Sequence, residues 1–231
     1  GALRGIGADN TSGIAVRGSY NESWNGSSWT EVNDLNTARD NLAGAGIITA
    51  GLVFGGATPP GSRVANTESW NGSSWTEVND LNTAKRQLGG SGTQTSALAY
   101  AGESAPTAAL GQTESWNGSS WTEVADLSTA RNQVGSAGAD NLSALAFGGT
   151  PPIGAATEEW NGATPVGAWS TASALNTDRY NIGGIGTTPA ALAVGGRGGS
   201  VPGNGSAITE SWSGSSWTEV ADLNTGRHSF L

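Results

Sequence analysis

The chain has 231 residues, of which 36% are hydrophobic and only 13% charged, with 37 glycines, 10 tryptophans and no cysteine or methionine. Its net charge of −9 argues against a nucleic-acid partner, which needs clustered Lys and Arg. Without cysteine there are no disulfides, no thiolate chemistry and no cysteine-ligated metal, and no apolar run reaches the length of a membrane span.

The tryptophans fall into five pairs: Trp24/Trp29, Trp70/Trp75, Trp116/Trp121, Trp160/Trp169 and Trp212/Trp217. Around four of them the text is nearly constant, ESWNGSSWTEV from Glu22, Glu68 and Glu114 and ESWSGSSWTEV from Glu210. The first tryptophans stand 46, 46, 44 and 52 residues apart, a period of a propeller blade or a long solenoid turn. Aligned on a recurring basic residue, the units are 1–38, 39–84, 85–130, 131–178 and 179–226, with 227–231 overlapping the start of the next. A uniform repeat of this kind reads as one domain over 1–231.

Each unit reads as four short strands. The first is rich in small residues, as in Leu42–Ile47 and Val134–Gly138. The second is an apolar run ending in glycines: Leu52–Gly56, Leu145–Gly149, Leu192–Gly196. The third is Thr67–Trp70 and its equivalents, and an Asn-Gly step leads into the fourth, Ser74–Val78. Asn-Gly between alternating runs is a strong hairpin signal, because both residues tolerate positive φ. Asp9-Asn10 and Asp140-Asn141 read as turns between the first two strands. No stretch keeps a helical period with caps, so the fold class is all-β.

The gradient from Gly and Ala in the first strand to Trp and Glu in the last two favours a propeller over a solenoid. First strands crowd a central axis, while outer strands fan apart and need bulk between neighbouring sheets. The expectation is a five-bladed β-propeller with four antiparallel strands per blade, its ring closed near the N- and C-termini.

A leading basic residue, a small first strand, a second strand ending Phe-Gly-Gly and a Trp on the fourth together resemble the kelch repeat. Arg39, Lys85, Arg131, Arg179 and Arg227, the Gly-Gly steps and the second Trp of each pair stand where kelch units carry theirs. The resemblance covers essentially the whole chain. It departs in using Trp-Asn-Gly where Tyr-Asp-Pro is usual, and in having five units where six or seven are usual. The near-identical Asn/Ser/Thr-rich texture with one lysine is also similar to structural proteins of marine bacterial viruses.

Superimposing the units sets His228, Ser229, Phe230 and Leu231 on Gly1, Ala2, Leu3 and Arg4, so both ends carry the start of a first strand. Either one end is displaced or the chain belongs to a longer array, for which the absence of a first methionine also speaks. A closed ring of five with one frayed end is expected.

Two rings of charge recur once per unit: Glu22, Glu68, Glu114, Glu158 and Glu210, and the basic Arg39, Lys85, Arg131, Arg179 and Arg227. They are expected to form structural ion pairs stitching neighbouring blades. The tryptophans are expected to pack between blades rather than serve as sugar-stacking platforms, because so few other aromatics are present to fill a core. Sequons at Asn25, Asn71 and Asn117 read as hairpin chemistry, glycosylated only in a eukaryotic secretory setting.

Catalysis finds little support. The only histidine is His228, which argues against serine–histidine and histidine–metal arrangements, and without cysteine the cysteine, tyrosine and histidine ligand set of copper-dependent kelch oxidases is not available. Ser23–Trp29 superficially resembles a sialidase turn but is one residue short. A paired-carboxylate glycosidase remains the enzyme alternative, though no acid breaks the repeat pattern. No cofactor and no metal are expected.

What differs between units is the connection from the second to the third strand: Arg17–Tyr20, Ala57–Ala65, Glu103–Gln112, Thr150–Ala156 and Arg197–Ile208. Copies that agree in scaffold and differ in one set of loops place individual function there. Tyr20, Arg63, Glu103 and Arg197 are the candidate contacts, joined by Trp160 and Trp169, which stand nine apart instead of five around the insertion Ala163–Ala168. The expected function is a non-catalytic binding or structural module, lectin-like, contacting a glycan or protein surface. Its expected setting is extracellular or on a virion, within a larger viral or filament assembly. A glycoside-acting enzyme and a scaffold with no ligand of its own are the alternatives.

Overall fold

The computed structural model describes residues 4–9, 11–18, 20–152, 154–163, 167–198 and 205–228, with backbone alone at 4, 8 and 9. Every regular element among them is a β-strand. The strands make five four-stranded antiparallel sheets, each built from consecutive strands, set as blades in a ring. Blade one comprises Arg4–Asp9, Ser12–Arg17, Tyr20–Trp24 and Trp29–Glu31. Blade two comprises Ala43–Ile47, Ala50–Phe54, Thr67–Trp70 and Trp75–Val78. Blade three has Gly89–Gly92, Ala97–Tyr100, Thr113–Trp116 and Trp121–Val124. Blade four has Gly135–Asp140, Ser143–Phe147, Thr157–Asn161 and Ala168–Ala172, and blade five has Gly183–Thr187, Ala190–Val194, Thr209–Trp212 and Trp217–Glu219.

The small inner strands follow from crowding at the axis. A Cβ added at Gly90 would lie 2.7 Å from the Phe54 ring and 2.9 Å from the Ala43 methyl, both in blade two. No side chain fits there. The outer hairpins are longer than a two-residue Asn-Gly turn: Trp70 pairs directly with Trp75, which leaves residues 71–74 as the turn. The Asn71 Oδ1 accepts the backbone N–H groups of Ser73 and Ser74, both at 2.9 Å, while Gly72 takes φ +96°. Asn therefore supplies the turn's acceptor and Gly its left-handed residue.

Among the described residues the core consists of four apolar clusters, one between each pair of consecutive blades from one to five. The two tryptophans of a unit have separate tasks. The third-strand rings donate inward to their own blade's first turn, Trp70 to the Ile48 carbonyl at 2.8 Å and Trp116 to the Gln94 carbonyl at 2.9 Å. The outer-strand rings reach back to the preceding blade, where Trp121, Trp169 and Trp217 pack edge-on against Phe54, Tyr100 and Phe147 at 4.9, 5.0 and 4.9 Å. Burying one such ring contributes roughly 4–6 kcal/mol of transfer free energy.

Asn141 is more than a turn residue. From blade four its Nδ2 donates to the Ser115 Oγ at 3.1 Å and the Trp116 carbonyl at 3.2 Å in blade three. Gln94 does the same from blade three to the Ser69 hydroxyl of blade two, at 2.9 Å. Closure of the ring at residues 1–3 and 229–231 lies outside the described residues.

Candidate functional site

The recurring charges form four buried pairs: Arg39–Glu68, Lys85–Glu114 at 3.2 Å, Arg131–Glu158 at 3.0 Å and Arg179–Glu210 at 2.5 Å. Contrary to the expectation, both partners of each pair belong to the same repeat unit. The basic side chain enters its own sheet, while its backbone carbonyl accepts an N–H from the preceding blade, as Lys85 does from Gly56 at 2.9 Å. The carboxylate is completed across the interface: Glu68 Oε2 accepts the Asn36 backbone N–H at 2.7 Å and its side-chain amide at 2.9 Å. Stitching between blades thus runs through backbone and amide, with the ion pair as the anchor inside each of blades two to five.

Burial pulls the Lys85 ammonium below the ordinary lysine value, opposed by Glu114. Burial likewise lowers Arg131 against Glu158 and Arg179 against Glu210. In blade one the pattern stops: Glu22 and Arg227 are both exposed, and no ion pair joins them among the described residues.

The variable loops resolve into distinct fates. In blades two and three they fold into small hairpins, Ala57–Thr58 with Ser62–Arg63 and Glu103–Ser104 with Ala108–Ala109. Arg63 pairs across the gap with Glu103, which also holds Arg86 at 2.9 Å, and Arg63 donates to the Pro106 carbonyl at 2.7 Å. These candidate contacts are therefore engaged with one another. Arg197 lies 2.9 Å from the His228 ring. Trp160 and Trp169 are corrected: Trp160 is buried and Trp169 lies partly buried beside it, its indole N–H 2.9 Å from the Thr113 hydroxyl. The two still pair directly, as the tryptophans of the other units do, so the register of the two strands is unchanged.

In blade one only two residues separate the second strand from the third, with Arg17 paired to Tyr20. Beside the long blade-two hairpin this short turn leaves a cleft of about 310 Å³, lined by Arg17, Tyr20, Arg39, Asp40 and Pro59. Tyr20 is 76% exposed, the most open large apolar side chain among the described residues. Arg39 forms the floor with its guanidinium committed to Glu68. The Asp40 backbone is bridged to Ala57 by hydrogen bonds of 2.9 and 2.7 Å, which fixes the wall against the hairpin. The cleft joins an aromatic ring and a prolyl ring to a guanidinium and a carboxylate, within the size range of small-ligand pockets. Among the described residues no group of three His, Asp or Glu side chains is placed to hold a metal.

Five radial antiparallel sheets, small residues at the axis and aromatic wedges between blades define a β-propeller. No family model matches the sequence, and no curated protein does. By fold, 235 solved chains match. One, the structure of YjhT, superimposes with a TM-score of 0.79 at 12% identity, over 98% of this chain and 85% of that one.

Proposed function

We propose that this propeller is a non-catalytic binding module that holds a short glycan in the cleft between blades one and two. One observation carries the reading: Tyr20 stands open over a preformed cleft whose other walls offer Arg17, Asp40 and Pro59. A pyranose presents an apolar C–H face and an edge of hydroxyls. The phenol and prolyl rings suit the face, and the guanidinium and carboxylate suit the hydroxyls. The cleft arises where the short blade-one loop meets the long blade-two loop.

In this reading the repeat is kelch-like, as the basic, Gly-Gly and Trp positions support. The setting is extracellular or on a virion, within a larger assembly, supported by the absence of cysteine, the single lysine and the Asn/Ser/Thr-rich texture. Screening the intact protein and its Tyr20→Ala variant against a glycan array tests the proposal. Binding that vanishes with Tyr20 supports it, and glycan binding that ignores Tyr20 and Asp40 places the site elsewhere.

A further inference from the structure

The fifth blade ends in half of an interface. Leu192 in its second strand is 37% exposed, whereas Ile14, Leu52, Leu98 and Leu145 at the same position of the other blades are at most 1% exposed. Ile185 and Val220 on the same face are 55% and 42% exposed. Their counterparts Ala45, Ala137 and Val78 are buried or packed into clusters. On the far side of the seam Trp29 of blade one is 52% exposed, although Trp75, Trp121 and Trp217 are buried.

The polar half of the interface is equally unmade. Thr67, Thr113 and Thr157 each accept an indole N–H from the next blade, at 3.1, 2.9 and 3.0 Å. Thr209 of blade five accepts none among the described residues. Among the described residues Glu22 has no Asn and basic partners of the kind that Glu68 receives from Asn36 and Arg39, while the matching Asn224 and Arg227 stand exposed.

These two faces are not generic apolar patches. Each is the half of a contact that the same chain makes four times, so the groups that cover it are already specified: an outer-strand Trp and a third-strand Glu for blade five, a third-strand Thr and a basic residue for blade one. Blade one carries the first set and blade five the second, yet among the described residues no apolar cluster joins them. Four chemically near-identical interfaces impose one angle between blades. If that angle were one fifth of a turn, the fifth interface would form as the others do, with no added distortion.

We propose that the seam between blades five and one is a docking site for one further repeat unit of this same type, a four-stranded sheet with the Trp, Thr, Glu and basic set. Such a unit offers its Trp and Glu to blade five and its Thr to Trp29, and it lets Arg227 reach Glu22. It converts the exposed apolar faces into two more buried interfaces.

The absence of cysteine makes the test clean. Leu192→Cys is made in the chain as it stands, with Leu145→Cys as the covered control, and maleimide labelling rates are measured. A second copy of residues 85–130 is then inserted between Gly226 and Arg227 of each variant. The expected result is fast labelling of Leu192→Cys in the five-unit chain, at least tenfold slower labelling after insertion, and a protected Leu145→Cys throughout. The proposal is overturned if Leu192→Cys is already protected in the dilute five-unit chain, because the ring then closes on its own blade one. Protection that develops only as the five-unit chain is concentrated overturns it in favour of a second copy. An inserted unit that leaves labelling unchanged while Leu145→Cys stays protected also overturns it.

Discussion

Trp121 of blade three donates its indole N–H to the Thr67 hydroxyl of blade two across 3.1 Å, with both residues buried. The same bond joins Trp169 to Thr113 and Trp217 to Thr157, so the outer tryptophans are wedges with a fixed polar end. Blade one breaks the series. Asn21 stands where the others have Thr, and the buried Trp75 Nε1 has no hydrogen-bond partner.

Exchanging these residues is expected to act in opposite directions. Thr67→Val leaves Trp121 with a buried unpaired donor and costs about 1–3 kcal/mol. Asn21→Thr supplies the missing acceptor to Trp75 and raises stability by about 0.5–1.5 kcal/mol. Urea unfolding of both variants beside the parent measures the difference.

The buried pairs predict a contrast within one ring. Glu68→Ala strands the buried Arg39 guanidinium without its counter-charge and costs about 3–5 kcal/mol. Glu22→Ala touches an exposed carboxylate with no ion pair among the described residues and leaves the unfolding midpoint where it was. Equal losses in the two variants would show that the blade-one carboxylate is buried after all.

Lys85 predicts a pH dependence of definite sign. Because burial holds its folded-state pKa below the ordinary value of about 10.4, the unfolded chain binds that proton more tightly. Its contribution to stability therefore rises as pH climbs from the lowered folded value toward the unfolded one, and is constant above it. The difference in unfolding free energy between the parent and Lys85→Met, followed from neutral to alkaline pH, is expected to show this rise.

The Gly-Gly steps give a fourth test. Gly55 and Gly148 both sit at φ +65°, and a Cβ on Gly55 would meet the Lys85 carbonyl at 2.7 Å. Blade three has Ala101 at this position, held at φ +59°. Left-handed strain of about 1–2 kcal/mol exceeds the extra chain entropy of a glycine, about 0.4–1 kcal/mol. Ala101→Gly is expected to raise the melting temperature, against the usual effect of adding glycine.

The blades were legible because the features that build them recur. Trp70/Trp75, the Asn71-Gly72 turn and the small inner strand carry their signal locally, in residue type and spacing. The pairing of Arg39 was not legible. Glu22 and Glu68 flank it in sequence, and only the twist of the sheets decides that its side chain turns into its own blade. The role of Thr67 was also hidden, since a threonine in a strand is ordinary and its indole partner lies in the next unit. The cleft was only half visible. Tyr20 stood out as a loop residue, but the cavity depends on the contrast between its short turn and the long loop at Pro59, which no single loop displays.

Saturation-transfer NMR against the glycans retained on an array decides whether the Tyr20 cleft binds a saccharide. Magnetisation is expected to pass from the protein to one C–H face of the bound sugar. The transfer should disappear in Tyr20→Ala, with the melting temperature unchanged, and in Asp40→Asn. Transfer that persists in both variants, or no glycan retained by the folded parent protein, would show that the cleft is not a saccharide site.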